Sequence, residues 1–227
     1  MRVPLFIELS NRKVLVLGGG QVGTHRARKF SEAGARVVVV SKEFTDELKR
    51  LSREGRVVLY QVSLDRETTL SFVEAWIAWA DIVVYTIPDV ELAKIVRDLC
   101  KKYSKFLNDA TDAEHTDIVV PFEGSINGIR IAVTTEGKSS TFARILRDWI
   151  VDQIRHNENL KRLAKAWFKA KSIIKREIKD PRMRMRIYRE LMNNEEFLRV
   201  AQTGDIEMIE KIVRKIIEKR LREEQGY

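Results

Sequence analysis

Residues 14–23 read VLVLGGGQVG and decide the fold of this chain. The aliphatic run is typical of a buried strand, the glycines of a tight turn, and residues 24–33 of a helix that follows without a gap. Gly18 permits a sharp exit from the strand, Gly20 lets a ligand come close to the backbone, and Gly23 lets the helix pack closely on the strand. Strand, turn and helix in this order predict the first half of a β-α-β unit.

The same turn has the form of a dinucleotide-binding loop. Free N–H groups and the dipole at the amino end of a helix both favour the phosphates of a nucleotide. A second aliphatic strand, RVVVV at 36–40, follows the helix, as a dinucleotide-binding unit requires. We therefore predict a Rossmann-type parallel sheet that binds a nucleotide. The alternative is a glycine turn with a purely structural role.

The ends of two strands supply the other candidate cofactor contacts. An acidic residue about 20 positions after the glycines holds the ribose diol of NAD. Here the second strand ends in Ser41-Lys42-Glu43, in which Ser41 and Lys42 suit the 2′-phosphate of NADP and Glu43 suits the diol, so both cofactors stay open. Thr86 follows the strand IVVY at 82–85, at the carboxyl edge where ligands bind in open α/β sheets, and we expect its hydroxyl to face the cofactor.

A polar cluster, NDATD at 108–112, follows another short strand and so lies at the same edge of the sheet. Asp and Asn in such loops often serve only to form turns. The functional alternative is that one carboxylate handles protons for a substrate beside the cofactor. On that interpretation, Asp112 and Asp109 are the candidate catalytic residues.

Composition limits the class of protein. A chain of 227 residues with 44% hydrophobic residues can fill one large or two small cores. Its net charge of +9 suits a nucleic acid, a membrane surface or a polyanionic small molecule, and equally a soluble protein rich in ion pairs. No apolar stretch approaches a membrane span and the amino terminus lacks a signal-peptide core, so we expect a cytoplasmic protein. The single Cys100 excludes an internal disulfide and is expected to be a small buried apolar group.

The chain changes character after the polar cluster. Strands at 117–122 and 129–135, joined by a turn at 127–128, precede a helix over 141–154. The remainder is predicted to form charged amphipathic helices with breaks at Asp180-Pro181, Asn193-Asn194 and Thr203-Gly204-Asp205. We therefore predict a Rossmann domain at 1–112, a small α+β region at 113–155 and a helical carboxyl-terminal domain at 156–227.

Several motifs, taken in order, resemble the precorrin-2 dehydrogenase family, which comprises stand-alone siroheme synthases and the amino-terminal part of the multifunctional siroheme synthase. They are PLF at 4–6, the glycine turn at 18–23, GARV at 34–37, the Asn108 loop ending in Pro121, AVTTEGKS at 132–139, and Ala143-Arg144. The resemblance covers roughly residues 3 to 150. The remaining tail resembles the family only in being helical.

The resemblance implies an NAD-dependent oxidation of precorrin-2 to sirohydrochlorin in siroheme biosynthesis, and in some members a ferrochelatase step with ferrous iron as a substrate. It implies a homodimer, with 113–155 as the dimerisation region and the helical tail closing over the substrate. Neither a resident metal nor a nucleic-acid or membrane partner is expected. The full set of expected NAD contacts is Gly18, Gly20, Gln21, Val22, Gly23, Ser41, Lys42, Glu43 and Thr86.

Two positions depart from the family pattern. The family carries its essential aspartate three residues after the asparagine, where this chain has Thr111, so the role is assigned to Asp112 or Asp109. The proline that follows the family's serine is replaced by Ser140, which makes the start of the helix less rigid.

The substrate that the resemblance implies fits the charge of the chain. Precorrin-2 is a polycarboxylate, which a positive protein attracts over long range and binds through charge-assisted hydrogen bonds. The expected substrate contacts are Asn108, Lys138, Ser139 and Arg144. His115 is a candidate for taking pyrrole protons during iron insertion, with a surface role as the alternative.

Two other functions compete with the dehydrogenase. One is a regulatory Rossmann module that senses NAD without turnover and signals through its helical tail. The other treats the basic segment 161–189, with Trp167, Phe168 and Tyr188, as a nucleic-acid surface. The same aromatic spacing also suits the core of a helical domain.

Overall fold

A computed structural model describes residues 2–65 and 72–224 of the chain. They form two compact units. The sheet unit contains the residues up to Pro121 together with Thr134–Ser140, and the helical unit contains Phe122–Val133 together with the residues from Thr141 onward. The predicted division into domains at 1–112, 113–155 and 156–227 stays a prediction.

The sheet unit is built on five parallel strands in the order β3-β2-β1-β4-β5. The strands are β1 (Lys13–Leu17), β2 (Arg36–Ser41), β3 (Val57–Gln61), β4 (Ile82–Tyr85) and β5 (Phe106–Asp109), and the helices are α1 (Gln21–Glu32), α2 (Asp46–Arg53), α3 (Glu74–Trp79) and α4 (Val90–Lys102). This order confirms the Rossmann-type sheet predicted from the sequence.

The central strands are apolar throughout because helices cover both faces of the sheet. Leu15 and Leu17 of β1 pack in one cluster with α3 and α4, whereas Val14 and Val16 pack in a second cluster with α1 and α2. All four side chains are fully buried. Burial on both faces explains why β1 reads as a continuous apolar run and not as an alternating one.

The chain reverses its direction of travel across the sheet at β1. Its connections first lead outward to β2 and β3, and then return to the other side of β1 to form β4 and β5. In an open α/β sheet, such a switch point leaves a crevice at the carboxyl ends of the two adjoining strands. The glycine turn after β1 and Thr86 after β4 therefore lie at the edge of the sheet where a ligand binds.

The helical unit begins with a hairpin and continues as five helices. These are β6 (Phe122–Ile126), β7 (Ile129–Val133), α5 (Ser140–His156, whose first residue belongs to the sheet unit), α6 (Glu158–Glu177), α7 (Pro181–Met192), α8 (Glu195–Thr203) and α9 (Ile206–Glu224). The hairpin turns at Asn127 and Gly128, both with positive φ, as predicted. It packs on α5, where Gly124 lies against the side chain of Val151.

The predicted helix breaks are confirmed and each has a local cause. Asp180 accepts hydrogen bonds from the first-turn amides of α7, and Asn194 accepts one from the first turn of α8. Gly204 ends α8 in the left-handed region with φ of 82°. Trp167 packs edge to face on Phe197 and, like Tyr188, lies against the helical core, so the core interpretation of these two aromatic residues is confirmed.

Three predicted elements differ from the structure. The strand predicted at 117–122 was wrong, because Asp117 and Ile118 both donate their N–H groups to one carbonyl, that of Leu107, instead of forming a ladder. Helix α1 begins three residues earlier than the predicted Thr24, because Gly20 already serves as its N-cap. The helix predicted over 68–80 is helical at 74–79, and its first four residues lie outside the described residues.

Two further sequence expectations can be compared with the structure. Cys100 is buried in α4, as predicted, and burial raises the pKa of its thiol to about 12. Within the described ranges, no helix combines the length and the apolar composition needed to cross a membrane.

The glycine turn gives a stability prediction. A Cβ added at Gly23 would lie 2.0 Å from the carbonyl oxygen of Gly18, which is backbone and cannot rotate away. We expect Gly23→Ala to lower the free energy of unfolding by about 3 kcal/mol through overpacking. Gly20→Ala is the matched control, because Gly20 has φ of −74° and open space where the methyl group would lie. Urea unfolding followed by circular dichroism measures both, and equal midpoints would contradict the prediction.

Candidate cofactor and substrate site

The glycine turn is closed on one side and open on the other. Gly18 has φ of 110°, and a Cβ there would lie 2.3 Å from the hydroxyl oxygen of Thr86. A Cβ at Gly20, in contrast, would meet no atom of the described residues within 4 Å. Gly18 and Gly23 are therefore required by packing, whereas Gly20 marks the face from which a ligand approaches the backbone.

The amino end of α1 adjoins this open face. Gly20 caps the helix without a side-chain hydrogen bond, and the first turn contains no acidic residue. Thr24 donates its hydroxyl to the Gly20 carbonyl oxygen at 2.8 Å, which fixes the turn, while Gln21 and Val22 are exposed. Amide groups at a helix start without an internal partner bind anions well. The arrangement fits the pyrophosphate of a dinucleotide.

The segment after β2 is held directly against the glycine turn. A Cβ at Gly19 would lie 2.2 Å from the carbonyl oxygen of Glu43, and the Thr45 N–H bonds the Gly19 carbonyl oxygen at 3.3 Å. Ser41 is buried, whereas Lys42 and Glu43 are exposed. The two charged residues are thus better placed than Ser41 to meet a ribose.

Thr86 joins the ends of the two strands that flank the crevice. Its hydroxyl donates a hydrogen bond to the Leu17 carbonyl oxygen at 3.0 Å. The hydroxyl proton is therefore committed to the backbone, and only the oxygen lone pairs of Thr86 stay available to a ligand.

The loop after β5 contains a network of charged side chains centred on Arg97 of α4. One guanidinium nitrogen of Arg97, Nη2, lies 3.4 Å from Asp109 Oδ2 and 3.2 Å from Asp112 Oδ2. The Asp109 side chain is fully buried, and its Oδ1 accepts hydrogen bonds from the N–H and hydroxyl of Thr111 at 2.9 and 2.7 Å. Asp109 has the contacts of a residue that shapes the loop.

Asp112 differs from Asp109 in its exposure and its partners. Its side chain is one-third exposed, and Oδ2 lies 2.7 Å from Nδ1 of His115. Oδ1 accepts the N–H groups of Glu114 and His115 at 3.0 and 3.2 Å. The hydrogen bond with the His115 ring, together with these two amides, holds the pKa of Asp112 below its usual range. Asp112 is therefore an ionised acceptor at neutral pH.

Asn108 is turned to the interior of the sheet unit. It is 3% exposed, and its amide nitrogen donates to the Ile118 carbonyl oxygen at 2.7 Å. This bond holds the segment that follows the loop. The geometry thus gives Asn108 a role in supporting the loop, and its contact with a substrate stays a prediction.

The loop at Thr134–Ser140 packs on the Asp112–His115 loop within the sheet unit. A Cβ at Gly137, which has φ of 91°, would lie 2.4 Å from the Cβ of Ala113. Arg2 bonds the Ala113 carbonyl oxygen at 2.7 Å and lies 3.7 Å from the Glu136 carboxylate. The structure therefore brings the segment that carries Lys138 and Ser139 against the candidate catalytic loop. Arg144 is exposed on α5 of the helical unit, and its role stays a prediction.

Arg97, Arg2 and Thr45 contribute to this site, although no pattern in the sequence singles them out. Each acts through a partner distant in sequence, such as Asp112 for Arg97 or Ala113 for Arg2. Charged residues on helices and at chain ends are usually solvated, so spacing alone carries no signal for Arg97 and Arg2.

Comparison with known proteins places this geometry in a family. A family model described as "Putative NAD(P)-binding" matches residues 5–122, slightly more than half of the chain. The chain belongs to this NAD(P)-binding family. The matched residues include all five parallel strands, the glycine turn and the Asp112–His115 loop. Membership in the NAD(P)-binding family confirms the prediction of a nicotinamide dinucleotide cofactor, which the open face at Gly20 and the first turn of α1 fit.

Individual relatives extend over most of the chain. A Methanocaldococcus jannaschii protein named "Putative precorrin-2 dehydrogenase" is 26% identical over 196 residues, which are 86% of this chain and 92% of that protein. A siroheme synthase of Actinobacillus pleuropneumoniae serotype 3 is 24% identical over 93% of this chain but only 41% of its own length. The solved structure of SirC, a precorrin-2 dehydrogenase, is 20% identical, covers 92% of this chain and all of its own, and superposes with a TM-score of 0.66, which shows the shared fold.

Over the part of the chain that the structure describes, no three or more His, Cys, Asp or Glu side chains are grouped so as to hold a metal ion.

The charged network gives a second stability prediction. We expect Asp109→Ala to cost about 3 kcal/mol, because it leaves Arg97 without its buried partner and breaks the Thr111 bonds. Asp112→Ala is expected to cost about 1 kcal/mol, because its side chain is partly solvated. Since the folded pKa of Asp112 lies below the unfolded value, its stabilising effect is present at neutral pH and is lost as the pH falls below about 4. Urea unfolding at two pH values measures these costs. A larger cost for Asp112→Ala than for Asp109→Ala would contradict the assignment.

Proposed function

We propose that this chain is an NAD-dependent dehydrogenase that oxidises precorrin-2 to sirohydrochlorin. The observation that carries the proposal is the placement, in one compact unit, of the dinucleotide cradle after β1 and of two joined polar loops after β5. Strands β1 and β5 both neighbour β4, so their carboxyl ends lie roughly 10 Å apart. The names of the relatives supply the substrate, and the first of them aligns over nearly its whole length.

The cofactor contacts follow from the cradle. We assign the backbone of Gly20, Gln21 and Val22 to the pyrophosphate and the exposed Glu43 to the ribose diol, because a carboxylate accepts two hydroxyl donors and repels a 2′-phosphate. Lys42 lies beside Glu43 and pairs with the phosphates. When bound, the oxidised nicotinamide accepts a hydride. The proposal is therefore NAD in preference to NADP.

The substrate contacts are assigned to the second loop. Lys138 is exposed, Ser139 is half-buried, and both belong to the segment that packs on Ala113. A polycarboxylate substrate pairs with Lys138 through charge-assisted hydrogen bonds, and Arg144 is assigned the same kind of contact. The net charge of +9 increases the rate of encounter with such a substrate. A cytoplasmic location, expected from the sequence, is part of the same proposal.

The exposed face of α5 supports a homodimer. Ile145 and Trp149 are separated by one helical turn, and their exposed fractions are 56% and 58%. The opposite side of α5 packs on the hairpin, where Arg147 donates a hydrogen bond to the Glu123 carbonyl oxygen. Adjacent exposed apolar side chains of this size mark an interaction site. We assign a second copy of this chain as the partner, with 113–155 as the dimerisation region.

The dehydrogenase proposal predicts turnover. We expect the purified chain, mixed anaerobically with precorrin-2, to form sirohydrochlorin and NADH with NAD, and to turn over at least tenfold more slowly with NADP. Gly20→Ala, which should fold normally, is expected to raise the Kd for NAD by tenfold or more, because the methyl group occupies the phosphate approach. Absorbance and calorimetry provide the readouts. NAD binding without turnover would favour the regulatory alternative.

The dimer proposal predicts that a charge placed on the exposed face of α5 halves the molar mass of the protein in solution. We expect the wild-type chain to be a dimer by light scattering and Trp149→Glu to be a monomer, because the charge would be buried without a partner. Met192→Glu on α7 is the matched control, since Met192 is equally exposed, at 61%, and lies outside α5. A Trp149→Glu variant that stays dimeric would place the interface elsewhere.

A further inference from the structure

The loop after β5 presents a histidine whose ring is both oriented and accessible. His115 is 56% exposed, and its Nδ1 lies 2.7 Å from Asp112 Oδ2. The backbone N–H of His115 bonds the other oxygen of the same carboxylate at 3.2 Å. The residue is thus held to Asp112 at two points, and its ring is not a freely rotating surface group.

The partner fixes which ring nitrogen carries the proton. An ionised carboxylate only accepts hydrogen bonds, so at this separation the proton of a neutral imidazole resides on Nδ1. Nε2 then retains its lone pair. A carboxylate that accepts from Nδ1 also stabilises the imidazolium that forms when Nε2 takes up a proton. The pair therefore has the form of an oriented base.

Asp112 itself is a poor proton acceptor in this setting. Its Oδ1 accepts two backbone amides, and its Oδ2 faces both the His115 ring and Arg97. Hydrogen bonds to the ring and to the amides stabilise the charged form, which is why the pKa of Asp112 is lowered. General bases work best when they are not stabilised in this way.

Several other charged groups surround the pair. Arg97 approaches from α4 and is balanced by the buried Asp109, and Glu114 adjoins His115 in the loop. Arg2 binds the same loop from the chain start and is paired with Glu136 of the Thr134–Ser140 segment. These five groups carry two positive and three negative charges. The segment that carries Lys138 and Ser139 packs on this loop, so a substrate held there lies beside the histidine.

We propose that Nε2 of His115 takes the proton that leaves precorrin-2 during its oxidation, and that Asp112 is a positioning residue that holds the imidazole. The inference rests on the proposed function. In the reaction the substrate breaks two bonds to hydrogen: one pair of electrons leaves as hydride to the oxidised nicotinamide dinucleotide, and the other hydrogen leaves as a proton to Nε2. The electrons of the second bond form the new double bond, and the imidazolium then returns its proton to water.

The test compares His115→Asn with the same substitution at a histidine of similar geometry. The asparagine amide retains a donor near the Nδ1 position, so the loop should keep its bond to Asp112, while the basic Nε2 is lost. We expect kcat for precorrin-2 oxidation to fall about a hundredfold with the Kd for NAD unchanged, and the acid limb of the pH–rate profile to disappear. His156→Asn is the control, because His156 lies 3.1 Å from Asp152 on α5 and is also exposed. It should leave kcat unchanged.

A second readout does not depend on turnover. Nitrogen-15 NMR of the ring should show the proton of neutral His115 on Nδ1 in the wild-type chain, and should show it moving to Nε2 in Asp112→Ala. That variant should also lose at least tenfold in kcat, because its imidazole is no longer oriented.

The outcomes separate the two proposals. If His115→Asn turns over like the wild-type chain, or if neutral His115 carries its proton on Nε2, this inference is overturned and the dehydrogenase assignment stands. If the wild-type chain fails to oxidise precorrin-2 with NAD, the proposed function fails, and the inference fails with it whatever tautomer the ring adopts.

Discussion

The structure of the sheet unit depends on the close approach of α1 to the end of β1. A helix can begin directly over a strand end only where side chains do not separate the two backbones, and the glycines at 18 and 23 meet that condition. The hydroxyl of Thr86 fills the remaining space and ties β4 to the same point. The phosphate cradle, the fixed position of the segment after β2, and the crevice at the switch point all follow from this contact.

A second constraint is the burial of charge beside the candidate substrate site. Asp109 lies at the buried end of β5, where an ionised carboxylate is costly unless it is paired and hydrogen-bonded. The ion pair with Arg97 and the hydrogen bonds from Thr111 offset that cost. The same guanidinium also lies within 3.2 Å of Asp112. One buried acid thus fixes the course of the loop, and the neighbouring, more exposed acid is free to orient a histidine at the surface.

Local patterns in the sequence were sufficient for most of the fold. The aliphatic runs, the glycine turn and the Asx caps at Asp180 and Asn194 act over a few residues, so each element could be predicted from its own segment. The strand expected at 117–122 was wrong because its bonding to Leu107 is a tertiary contact that composition does not encode. For the same reason the sequence drew attention to the acids of the NDATD cluster but not to Arg97, and it could not distinguish the buried Asp109 from the partly exposed Asp112.

The polypeptide passes from one compact unit to the other three times. The polypeptide leaves the sheet unit at Pro121, returns at Thr134, and leaves again after Ser140. The returning segment carries Lys138 and Ser139, so it reaches the sheet unit only by way of the hairpin that belongs to the helical unit. A single cut between Pro121 and Thr134 separates this segment from the rest of the sheet unit. The two units therefore cannot be exchanged as independent modules by one recombination event, and a gene fusion that preserves the candidate site has to carry the hairpin as well.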